Sequence, residues 1–94
     1  MSNRKAVHVT ISGRVQGVGF RAWAKSSATK AGLNGWVRNR SEGTVEAVFS
    51  GKSEHVDTML IACKDGPLAS RVTDLQSEEW PDAVPSGFEL KGTV

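Results

Sequence analysis

Three glycines and two arginines crowd one short stretch of this chain, Gly13-Arg14-Val15-Gln16-Gly17-Val18-Gly19-Phe20-Arg21. A glycine-rich turn leading into a helix lets successive backbone N–H groups converge on one concavity, and the helix N-terminus adds partial positive charge, so such a turn can nest an anion. Arg21, at the helix start, can add a planar fork that grips two oxygens of a phosphate. The same residues admit a plainer reading, in which the glycines make a tight turn and Arg21 is a solvated helix residue. A second group, Gly35-Trp36-Val37-Arg38-Asn39, ends on an asparagine just before a turn. Its amide either caps local backbone groups or, carrying donor and acceptor together, holds a water molecule near an anion in the loop. Arg14 and Arg21 bracket the glycine turn while Arg38 and Arg40 close the next extended segment, which suggests a local anion site.

Other nucleotide chemistries fit these residues poorly. Gly17-Val18-Gly19-Phe20-Arg21-Ala22 formally matches a dinucleotide fingerprint, but that fingerprint needs a parallel βαβ unit, and here the strand after the helix turns straight into a hairpin. A nucleoside triphosphate loop needs Gly-Lys-Ser/Thr at the helix start, where this chain has Gly19-Phe20-Arg21. His8 falls on the polar side of a strand and His55 near a helix start, without the spacing of a catalytic triad, so both read as solvated or hydrogen-bonded residues. Cys63 falls on an apolar stripe and reads as a buried, inert thiol. Trp23, Trp36 and Trp80 read as core and edge packing rather than a base-stacking platform.

The elements that must position these groups follow from periodicity. Residues 6–13 alternate, with Val7, Val9 and Ile11 on one side and His8, Thr10 and Ser12 on the other, as a half-buried strand does. Phe20, Ala24, Ser27, Ala28 and Ala31 recur at helical spacing, and Gly32 supplies the stop. Residues 33–40 and 44–50 read as strands joined by the turn Ser41-Glu42-Gly43. Ser53 is placed to cap a second helix whose Val56, Met59, Leu60 and Cys63 form a stripe, ended by Gly66-Pro67. Residues 71–79 are extended, but Val72 and Leu75 are an odd number of positions apart, which predicts a bulge or an edge position. A polar loop over residues 80–87 precedes a short last strand with Phe88 and Leu90. The predicted fold is α+β: a ferredoxin-like βαββαβ sandwich, with an antiparallel sheet, two helices on one face and a short extra C-terminal strand.

At 94 residues and 38% hydrophobic the chain predicts a single domain over residues 1–94. No apolar run approaches the roughly 18 residues that span a bilayer, and Met1-Ser2-Asn3-Arg4-Lys5 leads into alternation without a secretory core, so a soluble chain is expected. The single Cys63 excludes an internal disulfide and fits a reducing cytoplasm. Twelve Lys and Arg against ten Asp and Glu leave a net charge of +2, a weak argument for nucleic acid.

Together, Gly13 to Arg21 and Gly35 to Asn39 resemble the acylphosphatase family, in which a G-x-V-Q-G-V-x-F-R loop is followed by a G-W-V-x-N strand at about this distance. The resemblance continues through Gly43-Thr44-Val45-Glu46, Gly66-Pro67, Arg71-Val72 and Phe88-Glu89-Leu90. It implies a small hydrolase of the carboxyl–phosphate bond in acyl phosphates, without metal or cofactor. Backbone N–H groups of Gln16, Gly17, Val18, Gly19 and Phe20, with Arg21, would hold the phosphate, and Asn39 would place the attacking water. Inorganic phosphate would be product and competitive inhibitor, the protein a monomer, and neither nucleic acid nor membrane a partner. One departure is visible: family members often finish on an aromatic residue soon after the last strand, whereas this chain runs on through Lys91-Gly92-Thr93-Val94, which bears on stability or substrate access. The alternative reading is a non-catalytic module that senses phosphate or binds RNA, since RNA-recognition domains share this strand order.

Overall fold

The computed structural model describes residues 3–94; Met1 and Ser2, where the opening segment begins, lie outside the described residues. Alternation along β1 (Arg4–Arg14) buries Val7, Val9 and Ile11 and turns His8 and Thr10 to the opposite face. The chain then forms α1 (Phe20–Lys30), the hairpin β2 (Asn34–Asn39) and β3 (Val45–Lys52), α2 (Ser53–Asp65), β4 (Arg71–Glu79) and the short β5 (Phe88–Leu90). The sheet order is β4-β1-β3-β2-β5. Its first four strands are antiparallel, the ferredoxin-like arrangement the element order predicts. The extra strand β5 joins β2 in parallel, with Phe88 beside Gly35 and Leu90 beside Val37, because the loop after β4 carries the chain to the other edge and reverses it.

The core lies between the sheet and both helices. Phe20, Ala24 and Ala28 of α1 and Val56, Met59 and Cys63 of α2 meet Val9, Ile11, Val37, Ala47 and Phe49 of the sheet. Burial stabilises by roughly 1.5–3 kcal/mol for each large apolar side chain, and the alanines let α1 approach closely. Phe88 stacks on Phe49 with ring centroids 5.6 Å apart, which fastens β5 to the core. β2 also needs Gly35: at its φ of 140° a Cβ would stand 1.8 Å from the carbonyl oxygen of Val48.

Two local expectations change. Ser53 is the first residue of α2 and Lys52 occupies the cap position, because β3 runs on to Lys52 and the Ser53 N–H donates to the Asn3 carbonyl. The face away from the helices is less bare than the polar side of β1 suggests. Trp80 stacks on His8 at 5.5 Å and meets Trp36 edge-on at 6.3 Å, and Val48, between His8 and Trp36 in the sheet, is fully buried. The irregularity in β4 is there as expected: the register against β1 jumps from Ser12 with Asp74 to Gly13 with Val72, leaving Thr73 as the extra residue of an edge strand. Among the described residues no helix is long and apolar enough to cross a membrane.

Candidate active site

The loop between β1 and α1 is held at both ends by buried side chains, Val15 and Phe20. Its middle is tied down by Gln16, whose Nε2 donates to the carbonyls of Arg40 at 2.8 Å and Thr44 at 2.9 Å, fixing the loop to the β2–β3 turn. The Gln16 side-chain nitrogen is thereby engaged within the protein. Gly17 and Gly19 have φ of 73° and 77°, and a Cβ on either would meet nothing within 4 Å. Their backbone conformation, not crowding, selects glycine. Gly19 caps α1 with no side-chain hydrogen bond, and the first turn holds no acidic residue, so the positive end of the helix faces outward uncompensated.

Arg21 and Asn39 come to this loop from different elements. Together with Gln16, Gly17, Gly19 and Phe20 of the loop, and with Val15, Ala22 and Leu90, they line a pocket of about 200 Å³. Val18 does not line it; its side chain packs on the core. The Arg21 Nη1 donates to the carbonyl of Lys91 at 3.2 Å, and among the described residues no carboxylate is paired with it. Asn39 shares the side of the sheet that carries Val37 and Val45, facing the helices. Its Oδ1 is shielded from solvent and has no hydrogen-bond partner among the described residues. A buried acceptor in that condition costs about 1–3 kcal/mol, a cost that a site which binds a donor recovers on binding.

The other arginines do not join this pocket. Strand alternation sends Arg38 to the opposite face, where its Nε lies 2.7 Å from Glu46 Oε1; Arg40 Nη1 reaches the same oxygen at 3.2 Å, and His8 Nε2 holds Oε2 at 2.6 Å. Burial would raise the Glu46 carboxyl, but the hydrogen bonds from His8, Arg38 and Arg40 prevail and bring its pKa down to about 2. Arg14 is exposed at the end of β1, opposite Arg71. Of the four arginines that suggest an anion site, only Arg21 lines this pocket. His8 is hydrogen-bonded, as its strand position implied, and burial pushes the Cys63 thiol up to about 12, far from a nucleophile. His55 is exposed on α2, and among the described residues no group of three or more His, Cys, Asp or Glu could hold a metal ion.

Sequence reasoning missed Leu90 and the Lys91 carbonyl. Both arrive through the parallel pairing of β5, for which three residues of strand give no local signal. A larger groove of about 400 Å³ runs beside β5, lined by Lys25, Trp36, Phe88 and Lys91 among others, but neither the glycine loop nor Asn39 opens into it.

A family model described as Acylphosphatase matches residues 7–90. A protein of Rhizorhabdus wittichii named acylphosphatase is 46% identical over 92 residues, covering 98% of this chain and 93% of the relative. One of Azorhizobium caulinodans with the same name is 51% identical over 90 residues, covering 94% and 96%. The solved structure of an acylphosphatase from Coxiella burnetii superposes with a TM-score of 0.91 at 35% identity, covering 95% of this chain and 94% of that one. A match that begins on β1 and ends on β5 takes in every element that builds the pocket, and the chain belongs to the acylphosphatase family.

Proposed function

We propose that this chain hydrolyses the carboxyl–phosphate bond of acyl phosphates, releasing a carboxylate and inorganic phosphate. The carrying observation is that Arg21, with no carboxylate paired to it among the described residues, and Asn39, whose amide oxygen has no partner among them, line one small pocket floored by the glycine loop. In this reading the backbone N–H groups of residues 16–20 and the Arg21 fork hold the phosphoryl oxygens and neutralise charge that builds on them in the transition state. The Asn39 side-chain amide hydrogen-bonds the attacking water, so that the water's lone pair points at phosphorus, in line with the departing carboxylate. An acyl phosphate has a good leaving group, so no strong base is needed and the water's proton passes to the phosphoryl oxygens of the substrate itself. Arg21 supplies the positive charge that a metal ion supplies elsewhere, so neither metal nor cofactor is required.

Inorganic phosphate, as product, occupies the same loop and competes with substrate. Residues 1–94 act as one acylphosphatase-like domain and as a monomer; the lone Cys63, buried in a chain without disulfides, supports work in the reducing cytoplasm. The alternative of RNA binding would need aromatic rings free to stack on bases. Trp36 and Trp80 are instead engaged with each other and with His8.

Hydrolysis of a simple acyl phosphate in ¹⁸O-labelled water, with excess chelator present, tests the proposal. Label is expected in inorganic phosphate and none in the carboxylate. Label in the carboxylate, activity restored only by a divalent metal, or phosphate binding without turnover would overturn it.

A further inference from the structure

Lys91 stands where the two faces of the sheet meet, one residue past β5, and three of its groups are engaged in three directions. Its N–H donates to the Val37 carbonyl at 2.8 Å, continuing the parallel pairing. Its own carbonyl accepts from Arg21 Nη1 at 3.2 Å on the pocket side. Its ammonium lies 5.2 Å from the centroid of the Trp36 ring, whose side chain belongs to the opposite face. Beyond it the chain closes on the neighbourhood of Asn39: the Val94 N–H donates to the Asn39 carbonyl at 3.2 Å, and the Val94 carbonyl accepts from the Ser41 N–H at 2.7 Å. Residues 91–94 thus touch the side chain of Arg21 at one end and the backbone of Asn39 at the other.

A long, flexible cation loses rotamer freedom when it grips a ligand, and affinity rises if part of that loss is suffered beforehand. One hydrogen bond to a fixed carbonyl restricts the guanidinium while leaving most of its five N–H donors for phosphate oxygens. The carbonyl is fixed in turn by the Val37 pairing and by the ammonium on Trp36. We infer that segment 91–94 is a strap that presets the active site, with Lys91 as the positioning residue for Arg21; it contacts no reacting atom and acts through Arg21 and the Asn39 backbone. The inference rests on Arg21 being the phosphate-holding group, but the order of the guanidinium can be observed without turnover.

The experiment compares the full chain with a deletion of residues 91–94, with Lys91→Ala and with Lys91→Arg. The readouts are the Arg21 side-chain nitrogen resonances, the Kd for inorganic phosphate, and KM and kcat for an acyl phosphate. The deletion should collapse the separate Arg21 Nη signals into an average and raise the phosphate Kd by about 10-fold, the scale of one charge-assisted hydrogen bond. Lys91→Ala, which keeps the whole backbone, should raise it by about 3-fold, and Lys91→Arg should restore the original value because a cation remains on Trp36. In an Arg21→Ala background the deletion should change phosphate binding no further. Unchanged Arg21 signals with unchanged Kd in a folded deletion variant, or an equal additional loss in the Arg21→Ala background, would overturn the strap; if the deletion does not fold, Lys91→Ala against Lys91→Arg decides alone. Arg21 signals that collapse in a chain hydrolysing no acyl phosphate would uphold the strap and unseat the phosphatase reading.

Discussion

On the open face of the sheet, Arg38 and Arg40 reach one oxygen of Glu46 while His8 holds the other; on the helix-covered face, Arg21 donates to a backbone carbonyl and has no carboxylate partner among the described residues. Both sets come from similar sequence surroundings, an arginine near the end of an element and beside a turn. The difference is electrostatic. A carboxylate shared by several donors uses up their charge inside the protein, and the cluster becomes structure. A guanidinium left unneutralised beside an uncapped helix N-terminus keeps its charge for something that arrives from solution.

The sharpest way to break this contrast is to make the same conservative exchange on both faces. Arg21→Lys keeps the charge but loses the bidentate fork, and kcat/KM for an acyl phosphate should fall by roughly 10³-fold together with weaker binding of inorganic phosphate. Arg38→Lys should leave kcat/KM within about 2-fold and show its cost in thermal stability instead. Equal kinetic damage from both would dissolve the distinction. Asn39→Ala divides the pocket further: kcat should drop by about 10²–10³, as when one transition-state donor is removed, while the phosphate Kd barely moves. Near-normal turnover in that variant would reduce Asn39 to a turn residue.

Glu46 tests the other side. Burial opposes its ionisation, yet its hydrogen bonds lower the folded pKa from 4.5 to about 2, so the ionised form is favoured by folding. The resulting stability, roughly 3 kcal/mol at most, is fully present above pH 4.5 and is lost as pH falls through about 2. Denaturant melts between pH 2 and 6 should therefore show stability declining in this window, and Glu46→Gln should flatten the decline and lower the plateau above it. Activity of Glu46→Gln at neutral pH should stay near that of the unaltered chain.

Parity along β2 already separates the two sets of groups: Asn39 shares a side with buried Val37, whereas Arg38 shares one with Trp36. Period-two alternation carries that information, and counting arginines without it is what suggested a single cluster. The partner of Arg38 was harder to see, because Glu46 lies directly opposite only once the hairpin register is fixed. The glycine loop, the first helix and the bulge opposite Gly13 were legible because each has a local backbone or spacing cause. The strap was not. Gly92, Thr93 and Val94 carry no periodic pattern, and their order depends on backbone hydrogen bonds to residues more than fifty positions away. Trp80 was legible as packing but its partners were not, because a polar loop hides a ring that folds back over β1 onto His8, with the Trp80 backbone N–H on the Ala6 carbonyl.

The parallel addition of β5 and the continuation through Lys91 and Val94 also govern how one molecule meets another. A sheet edge is a template for strand addition, and intermolecular pairing along it is a route to fibrils. At the β4 edge a newcomer meets a bulge at Thr73 and a row of exposed charges at Arg71, Asp74, Glu78 and Glu79. At the β2 edge it meets hydrogen-bonding positions already occupied from Gly35 to Ser41, and beyond them only a three-residue outer strand. Loosening residues 91–94 would uncover the Val37 and Asn39 carbonyls, so the four residues that order the pocket are also a guard against self-association.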